Sequence, residues 1–213
     1  MLPELNAEKG FVFRITHRRN LPWLLDNGLH CRRSPKQDPD FVSIGNKELI
    51  EKRHLRSIGQ PPGGTLSDYV PFYFTPLSIM AFNIQTGRNG VDKLSGAELL
   101  ILVTSLHKLK NDGIAFLFTD RQASMVGAMF TDDIGRLDQV DWRILQNKDF
   151  SRDNEDIGKT SRYQAEVLVH KHLSADSLLG IACYDVEQKA WAANLVAERT
   201  LNLPVFVKRG WYF

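Results

Sequence analysis

The chain has 213 residues, 43% of them hydrophobic and 24% charged, which is enough for one substantial core and argues against a disordered or collagenous chain. No apolar run approaches the roughly 20 residues of a membrane span, and two cysteines, Cys31 and Cys183, make neither a disulfide framework nor a metal-ligand pattern. The net charge of +2 is too small to argue for nucleic acid by itself, but residues 1–60 carry 11 Lys+Arg against 7 Asp+Glu, so the remainder is acidic. The basic groups cluster as Arg18-Arg19, CRRSPK (31–36) and EKRHLR (51–56), which would favour a phosphate-bearing partner on the N-terminal part. Solvated helix and loop faces explain the same clusters equally well. The opening MLPELNAEKG has no basic-then-apolar leader pattern, and a reducing cytoplasm is the expected compartment.

In chain order, FVFRITH (11–17) alternates and reads as a strand. NLPWLLDNG (20–28) reads as a short helix capped by Asn20 and stopped by Gly28. KELIEKRHLRSI (47–58) returns to helical spacing through Leu49, Ile50, Leu55 and Ile58, and GQPPGGTLSD (59–68) reads as a flexible connection. YVPFYFT (69–75) is an aromatic strand in which Pro71 favours a sheet edge or a strand start. ELLILVTSL (98–106) and GIAFLFTD (113–120) are apolar strands, and RQASMVGAMF (121–130) is helix-like. Residues 145–162 are polar and long for a connection in a compact domain, so they read as a mobile functional loop. A strand through 165–170, the strand GIACYD, the helix EQKAWAANLVAERT and a final strand in LPVFVKRGWYF complete the chain. This order predicts one α+β domain over 1–213 around a predominantly antiparallel sheet.

Glu166 is the residue that asks for a reason. It stands among Ala165, Val167, Leu168 and Val169, where an ionised carboxylate without a partner is costly. Strand alternation puts Gln164, Glu166, Leu168 and His170 on one mixed face, which suits a cleft wall better than a sealed core. An exposed strand carboxylate remains the plain alternative. His17, at a strand end before Asn20 and Asn27, could line a pocket, or could equally be a capping or hydrogen-bonded histidine. The acidic group Asp132, Asp133, Asp138 and Asp141 fits turns and helix ends, PPGGT lacks a P-loop lysine, and no metal site is expected.

The ordered blocks RITHRRNLPWLLDNGL, IGNKELIEKR, GGTLSDYVPFYFTP, FLFTD, LDQVDWRIL and RYQAEVLV resemble the DarT family, from about residue 11 to Phe213. Those are bacterial toxins that ADP-ribosylate DNA and are paired with a DarG-type macrodomain antitoxin that removes the mark. The resemblance implies an ADP-ribosyltransferase-like split, mostly antiparallel sheet with NAD+ as co-substrate in its cleft and no metal. It implies that Glu166 is the catalytic glutamate, that His17 holds the nicotinamide side of NAD+, and that Arg53 is an activity-bearing arginine of the NAD-binding helix. Asn20 and Asn27 fall in the matching NAD-binding segment. Two departures stand out: Leu77-Ser78-Ile79-Met80 replaces an SPM block, and Gln122 stands where relatives often carry histidine, which bears on base preference.

The residue types suit the implied chemistry. Breaking the bond from ribose C1 to nicotinamide builds positive charge on the ribose, which a carboxylate stabilises as it develops. The implied acceptor is a base in single-stranded DNA, thymine first. Its N3–H needs a base before it can attack, and N3 is blocked in a duplex, so an unpaired or flipped base is required. Tyr73, Lys148, Arg152, Lys159 and Arg162 are the candidate DNA contacts, combining an aromatic platform with backbone-neutralising cations around 145–162. The competing readings keep the fold but change the acceptor to guanine, RNA or protein, or make His17 and Glu166 the acid/base pair of a nuclease. A non-enzymatic single-strand binding module using the basic N-terminal third is a further one.

Overall fold

A computed structural model of the chain describes residues 4–213, with every side chain in that range except those of Lys47 and Leu49. Met1–Pro3 at the opening and the Leu49 side chain of the predicted helical face therefore lie outside the described residues. The elements are β1 (Phe11–His17), α1 (Leu21–Asn27), β2 (Leu29–His30), α2 (Lys47–Arg53), β3 (Tyr69–Tyr73), α3 (Ile79–Thr86), β4 (Leu99–Ser105) and α4 (Leu106–Asn111). They continue with β5 (Phe116–Thr119), β6 (Phe130–Thr131), α5 (Trp142–Gln146), α6 (Lys159–Arg162), β7 (Glu166–His170), β8 (His172–Leu173), β9 (Gly180–Cys183), α7 (Val186–Glu198) and β10 (Val205–Val207). The main sheet has eight strands in the order β10-β9-β4-β1-β3-β7-β5-β6, all antiparallel neighbours except β10 and β9. No helix among the described residues is long and apolar enough to cross a membrane.

Strand β4 is buried along its whole length, which is why LLILVTS reads as a continuous apolar run. It pairs with β1 over seven residues, from Phe11↔Ser105 to His17↔Leu99. The other side of β1 is different. Between β1 and β3 the register holds a single pair, Phe13↔Tyr73, whereas β3 pairs with β7 over five residues. The sheet is therefore split beside β1, and the split is where a cavity can open.

That split also places Pro71. It lies in the interior of the sheet rather than at the edge or strand start that its ring suggested. Its carbonyl accepts from Arg14 Nη1 at 2.8 Å, so its backbone faces the diverging strand, where no ladder amide is required of it.

Three other segments depart from expectation. Helix α2 stops at Arg53, because Leu66 N bonds Arg56 O at 3.0 Å and Ile58 N bonds Gly64 O at 2.9 Å, drawing 56–58 into a short antiparallel pairing. Residues 121–130 form turns and a strand start instead of a helix. Three of their amides are taken by partners outside the segment: Gln122 N by Ser161 O at 2.9 Å, Ala123 N by Glu166 Oε1 at 3.1 Å and Met129 N by Asp120 Oδ1 at 3.0 Å. Residues 145–162, expected as one mobile loop, include the end of α5 and the whole of α6 and are tied down internally. Lys159 Nζ donates to Asp149 at 2.9 Å and Ser151 at 3.1 Å, and Arg162 spans Asp141 at 3.1 Å and Asp156. Asp133 and Asp141 cap helical turns, as their spacing indicated.

Glycine is required at the end of α1. Gly28 has φ +76°, and a Cβ there would run into Leu173 O and the His172 ring, the residues through which β8 pairs with β2.

Candidate active site

Glu166 is the first residue of β7 and sits opposite Tyr73 across the β3–β7 ladder. Its own amide donates to Thr119 Oγ1 at 3.0 Å, which locks the strand start against β5. The carboxylate is only 2% exposed, yet it forms part of the wall of a cavity of about 730 Å³. Arg53 Nη1 donates to Oε2 at 3.0 Å, and Ala123 N donates to Oε1 at 3.1 Å. Two residues 113 positions apart thus meet as an ion pair buried on the carboxylate side, with a loop amide completing the carboxylate's partners. Arg53 Nη2 is buried and has no hydrogen-bond partner, so one guanidinium nitrogen is left for a ligand.

The mixed face of β7 now has an explanation. Leu168 packs into a small second core with Ile58, Leu66, Tyr69, Leu117 and Ala123, while Glu166 on the same face borders the cavity. One strand face is half core and half site.

Arg14 and Tyr73 complete the charged surroundings. Burial pulls the Arg14 pKa down to about 10, with Tyr73 opposing that and Arg53 adding to it. Burial, and next the neighbouring Glu166 charge, push the Tyr73 phenol up to about 12, so it stays neutral. Two cations, Arg14 and Arg53, against one carboxylate leave this part of the wall with an excess positive charge, which favours an anionic ligand. The volume lies within the roughly 300–1,000 Å³ of small-molecule sites. Sequence reasoning passed over Arg14. The signal was the same as for Glu166: a charged residue at one position of an otherwise buried strand.

The expected site residues divide into three groups. Glu166, Arg53, Tyr73 and Asn20 come together on the cavity wall. Asn20 marks the start of α1, but its side chain does not cap the helix. Buried at 2% exposure, it donates to Thr16 Oγ1 at 3.1 Å and Val42 O at 3.0 Å and accepts from Val42 N at 2.8 Å. It therefore fastens the 41–46 segment, several of whose residues also line the cavity. His17 and Asn27 are not among the cavity-lining residues. His17 Nδ1 accepts from Arg19 N at 3.2 Å, and burial lowers its pKa despite nearby Glu98. Asn27 Nδ2 donates to Trp23 O, while its backbone carbonyl oxygen is hydrogen-bonded to the Nε2 atoms of His30 and His172.

Lys148, Arg152, Lys159 and Arg162 form the third group and do not border the cavity. Lys148 and Arg152 are exposed, whereas Lys159 is buried against Asp149 and Asp153 and Arg162 is held by two aspartates. Gln122 does line the cavity, as do Ile79 and Met80 from the block that departs from SPM. Among the described residues, no group of three or more His, Cys, Asp or Glu could hold a metal.

Residues 13–213 match the family model described as DarT, ssDNA thymidine ADP-ribosyltransferase. A DNA ADP-ribosyl transferase of Escherichia coli O127:H6 (strain E2348/69 / EPEC) is 44% identical over 209 residues, covering 98% of this chain and 96% of that protein. The structure of Thermus sp. 2.9 DarT in complex with ADP-ribosylated ssDNA superposes with a TM-score of 0.87 at 29% identity, over all of both chains. The same Thermus protein in complex with NAD+ matches with a TM-score of 0.81 at 28% identity, again over the whole of both chains.

Proposed function

The chain belongs to the DarT family of single-stranded-DNA thymidine ADP-ribosyltransferases and is an NAD+-dependent DNA ADP-ribosyltransferase, and from that premise we propose that Glu166 serves both reactants of the transfer. NAD+ occupies the cavity with its ribose C1 beside the Glu166 carboxylate. Arg14 and Arg53 face its phosphates, and Asn20 keeps the 41–46 segment closed against it. The bond from C1 to the nicotinamide nitrogen breaks, the bonding pair leaves with neutral nicotinamide, and the ribose carries oxocarbenium charge that Glu166 stabilises. Glu166 then takes the proton from thymine N3, and the N3 electron pair forms the new bond to C1. The products are nicotinamide and ADP-ribosylated thymine, and charge and atoms balance once the carboxyl returns its proton to water.

The observation that carries this reading is the Glu166 carboxylate itself, buried yet on the cavity wall, with Arg53 on one oxygen and the Ala123 amide on the other. Arg53 has a natural double use. It holds the carboxylate in place, and its unpartnered Nη2 is available to a phosphate or to a carbonyl of the acceptor base. Single-stranded DNA is the substrate form because thymine N3 is engaged in base pairing in a duplex.

The resemblance extends the proposal to biology: the chain acts as a toxin, and a macrodomain antitoxin removes the mark. Cells producing active enzyme without that antidote are expected to show DNA-damage stress, and their normal growth would contradict the toxin role. The chemical reading is tested by mass spectrometry of a mixed-sequence single-stranded oligonucleotide incubated with the protein and NAD+. The expected product is one added ADP-ribose per modified thymine, absent with Glu166→Gln. An intact oligonucleotide together with intact NAD+ would defeat the reading, and NAD+-independent strand cleavage would favour the nuclease alternative.

A further inference from the structure

The Glu166 carboxylate takes its partners from outside β7, Arg53 on one oxygen and the Ala123 amide on the other. A group that ties the loop carrying Ala123 to the strand carrying Glu166 therefore controls where the carboxylate sits. Thr119, the last residue of β5, is fully buried and touches both. Its Oγ1 accepts from Glu166 N at 3.0 Å and donates to Arg121 O at 2.6 Å. We propose that Thr119 is a positioning residue for the transfer, its hydroxyl fixing the Glu166 main chain and the 121–123 loop to one another. This inference rests on the reading of Glu166 given above.

Sheet pairing by itself leaves this link to a side chain. The β5–β7 register ends at Phe118↔Val167, and Thr119 pairs instead with Phe130 of β6. One position further on, at the start of β7, the Glu166 amide meets the Thr119 hydroxyl. A hydroxyl has one proton and two lone pairs, so it can hold an amide and satisfy a carbonyl at once. Arg121 O is the nearer acceptor for that proton, because the Glu166 carbonyl lies at 3.4 Å. Thr119 thus lets the chain leave the strand at 121 while keeping hold of 166.

Residues 121, 122 and 123 are then pinned in turn. Arg121 is held by its carbonyl on Thr119 and by its guanidinium on Asp120, with Nε at 2.8 Å and Nη2 at 2.7 Å. Gln122 N donates to Ser161 O at 2.9 Å, and Gln164 N reaches the same carbonyl at 3.1 Å. Ala123 N donates to Glu166 Oε1 at 3.1 Å. The path from Thr119 out to Ala123 and back through Glu166 closes on the hydroxyl. Removing it takes this partner from a buried amide and from a loop carbonyl. The Ser161 link remains, so the carboxylate shifts while the loop keeps its place.

The effect falls on rate rather than on binding. Thr119 is not among the cavity-lining residues, so it touches neither reactant. A carboxylate stabilises developing ribose charge only where it is already in place, and a misplacement of about 1 Å can cost about a hundredfold.

The test uses the full chain with Thr119→Val, which keeps the shape and removes the hydroxyl, and Thr119→Ser, which keeps the hydroxyl. Nicotinamide release and adduct formation on a thymine-containing single strand are followed well below the Tm of each variant. Thr119→Val is expected to lower kcat about tenfold or more, with the KM for NAD+ within about twofold of wild type. Thr119→Ser should keep kcat within about threefold. A valine variant with wild-type kcat, an equal fall in the serine variant, or a matching rise in the KM for NAD+ would overturn the proposal. If the valine variant does not fold, Thr119→Ala removes the same hydroxyl and is read in the same way. Failure of both to fold would assign Thr119 to stability and equally overturn its role.

Glu166→Gln, measured alongside, separates this inference from the reading beneath it. Wild-type turnover in Glu166→Gln defeats the role of Glu166 itself. An inactive Glu166→Gln beside a fully active Thr119→Val defeats Thr119 alone.

Discussion

Replacing Arg53 by alanine isolates the energetics of the buried pair. The substitution removes the donor 3.0 Å from Glu166 Oε2 and leaves a carboxylate that is 2% exposed with the Ala123 amide as its remaining neighbour. At 3.0 Å the gross attraction is roughly 5 kcal/mol at an effective dielectric of about 20. The net loss is smaller, because desolvation of both ions offsets much of it and the Arg53 side chain, 19% exposed, faces a cavity that water can enter. A charged hydrogen bond contributes about 1.5–3 kcal/mol net, so Arg53→Ala should destabilise by about 2 kcal/mol. For a chain of 213 residues this lowers Tm by roughly 4–8 °C.

The control is the same substitution in a Glu166→Gln background, where no carboxylate is left buried. There the cost of removing Arg53 should fall below about 1 kcal/mol, giving a coupling energy of at least 1 kcal/mol in the double-mutant cycle. Urea denaturation at pH 7 supplies the four stabilities, provided the slope m is common to all variants. An Arg53→Ala cost that is equal in both backgrounds would refute the pair as the source. It would mean that Arg53 acts through packing alone.

Asn20→Ala should release the 41–46 segment by deleting the side chain's bonds to Val42 and Thr16, raising the KM for NAD+ at least fivefold while kcat changes by less than about twofold. An NAD+ titration of nicotinamide release reads this directly, and a fall in kcat with constant KM would contradict it. Asp68 contributes to the acid limb. Burial pushes its carboxyl upward, but Lys171 Nζ and the Thr65 amide and hydroxyl outweigh that and bring it down to about 2 from an ordinary 3.8. Its stabilisation is therefore complete above the unfolded value and is lost as pH falls towards 2. The Tm gap between wild type and Asp68→Asn should be constant above about pH 5 and close at lower pH, and a gap independent of pH would exclude this linkage.

The local pattern of the sequence determined the strands β1, β4, β5, β7 and β9 and the helices α1 and α7, because apolar periodicity and turn residues act over a few positions. It also exposed Glu166, since a carboxylate in an apolar strand is costly wherever that strand lies. Tertiary structure decided everything that depends on partners far along the chain. Residues 121–130 carry a helical pattern, yet Glu166, Asp120 and Ser161 capture their amides and forbid the helix. Pro71 reads as an edge residue, but a split sheet has an internal edge, and Arg14 meets it there. The charges of 145–162 suggest a loop open to DNA, whereas Lys159 pairs with Asp149, and Arg162 with Asp156 and with Asp141 before the segment. The Arg53–Glu166 pair could not be read from either residue's surroundings in sequence. Its two halves lie 113 residues apart, and only the tertiary fold, which carries the end of α2 to the start of β7, brings a guanidinium to a carboxylate already buried.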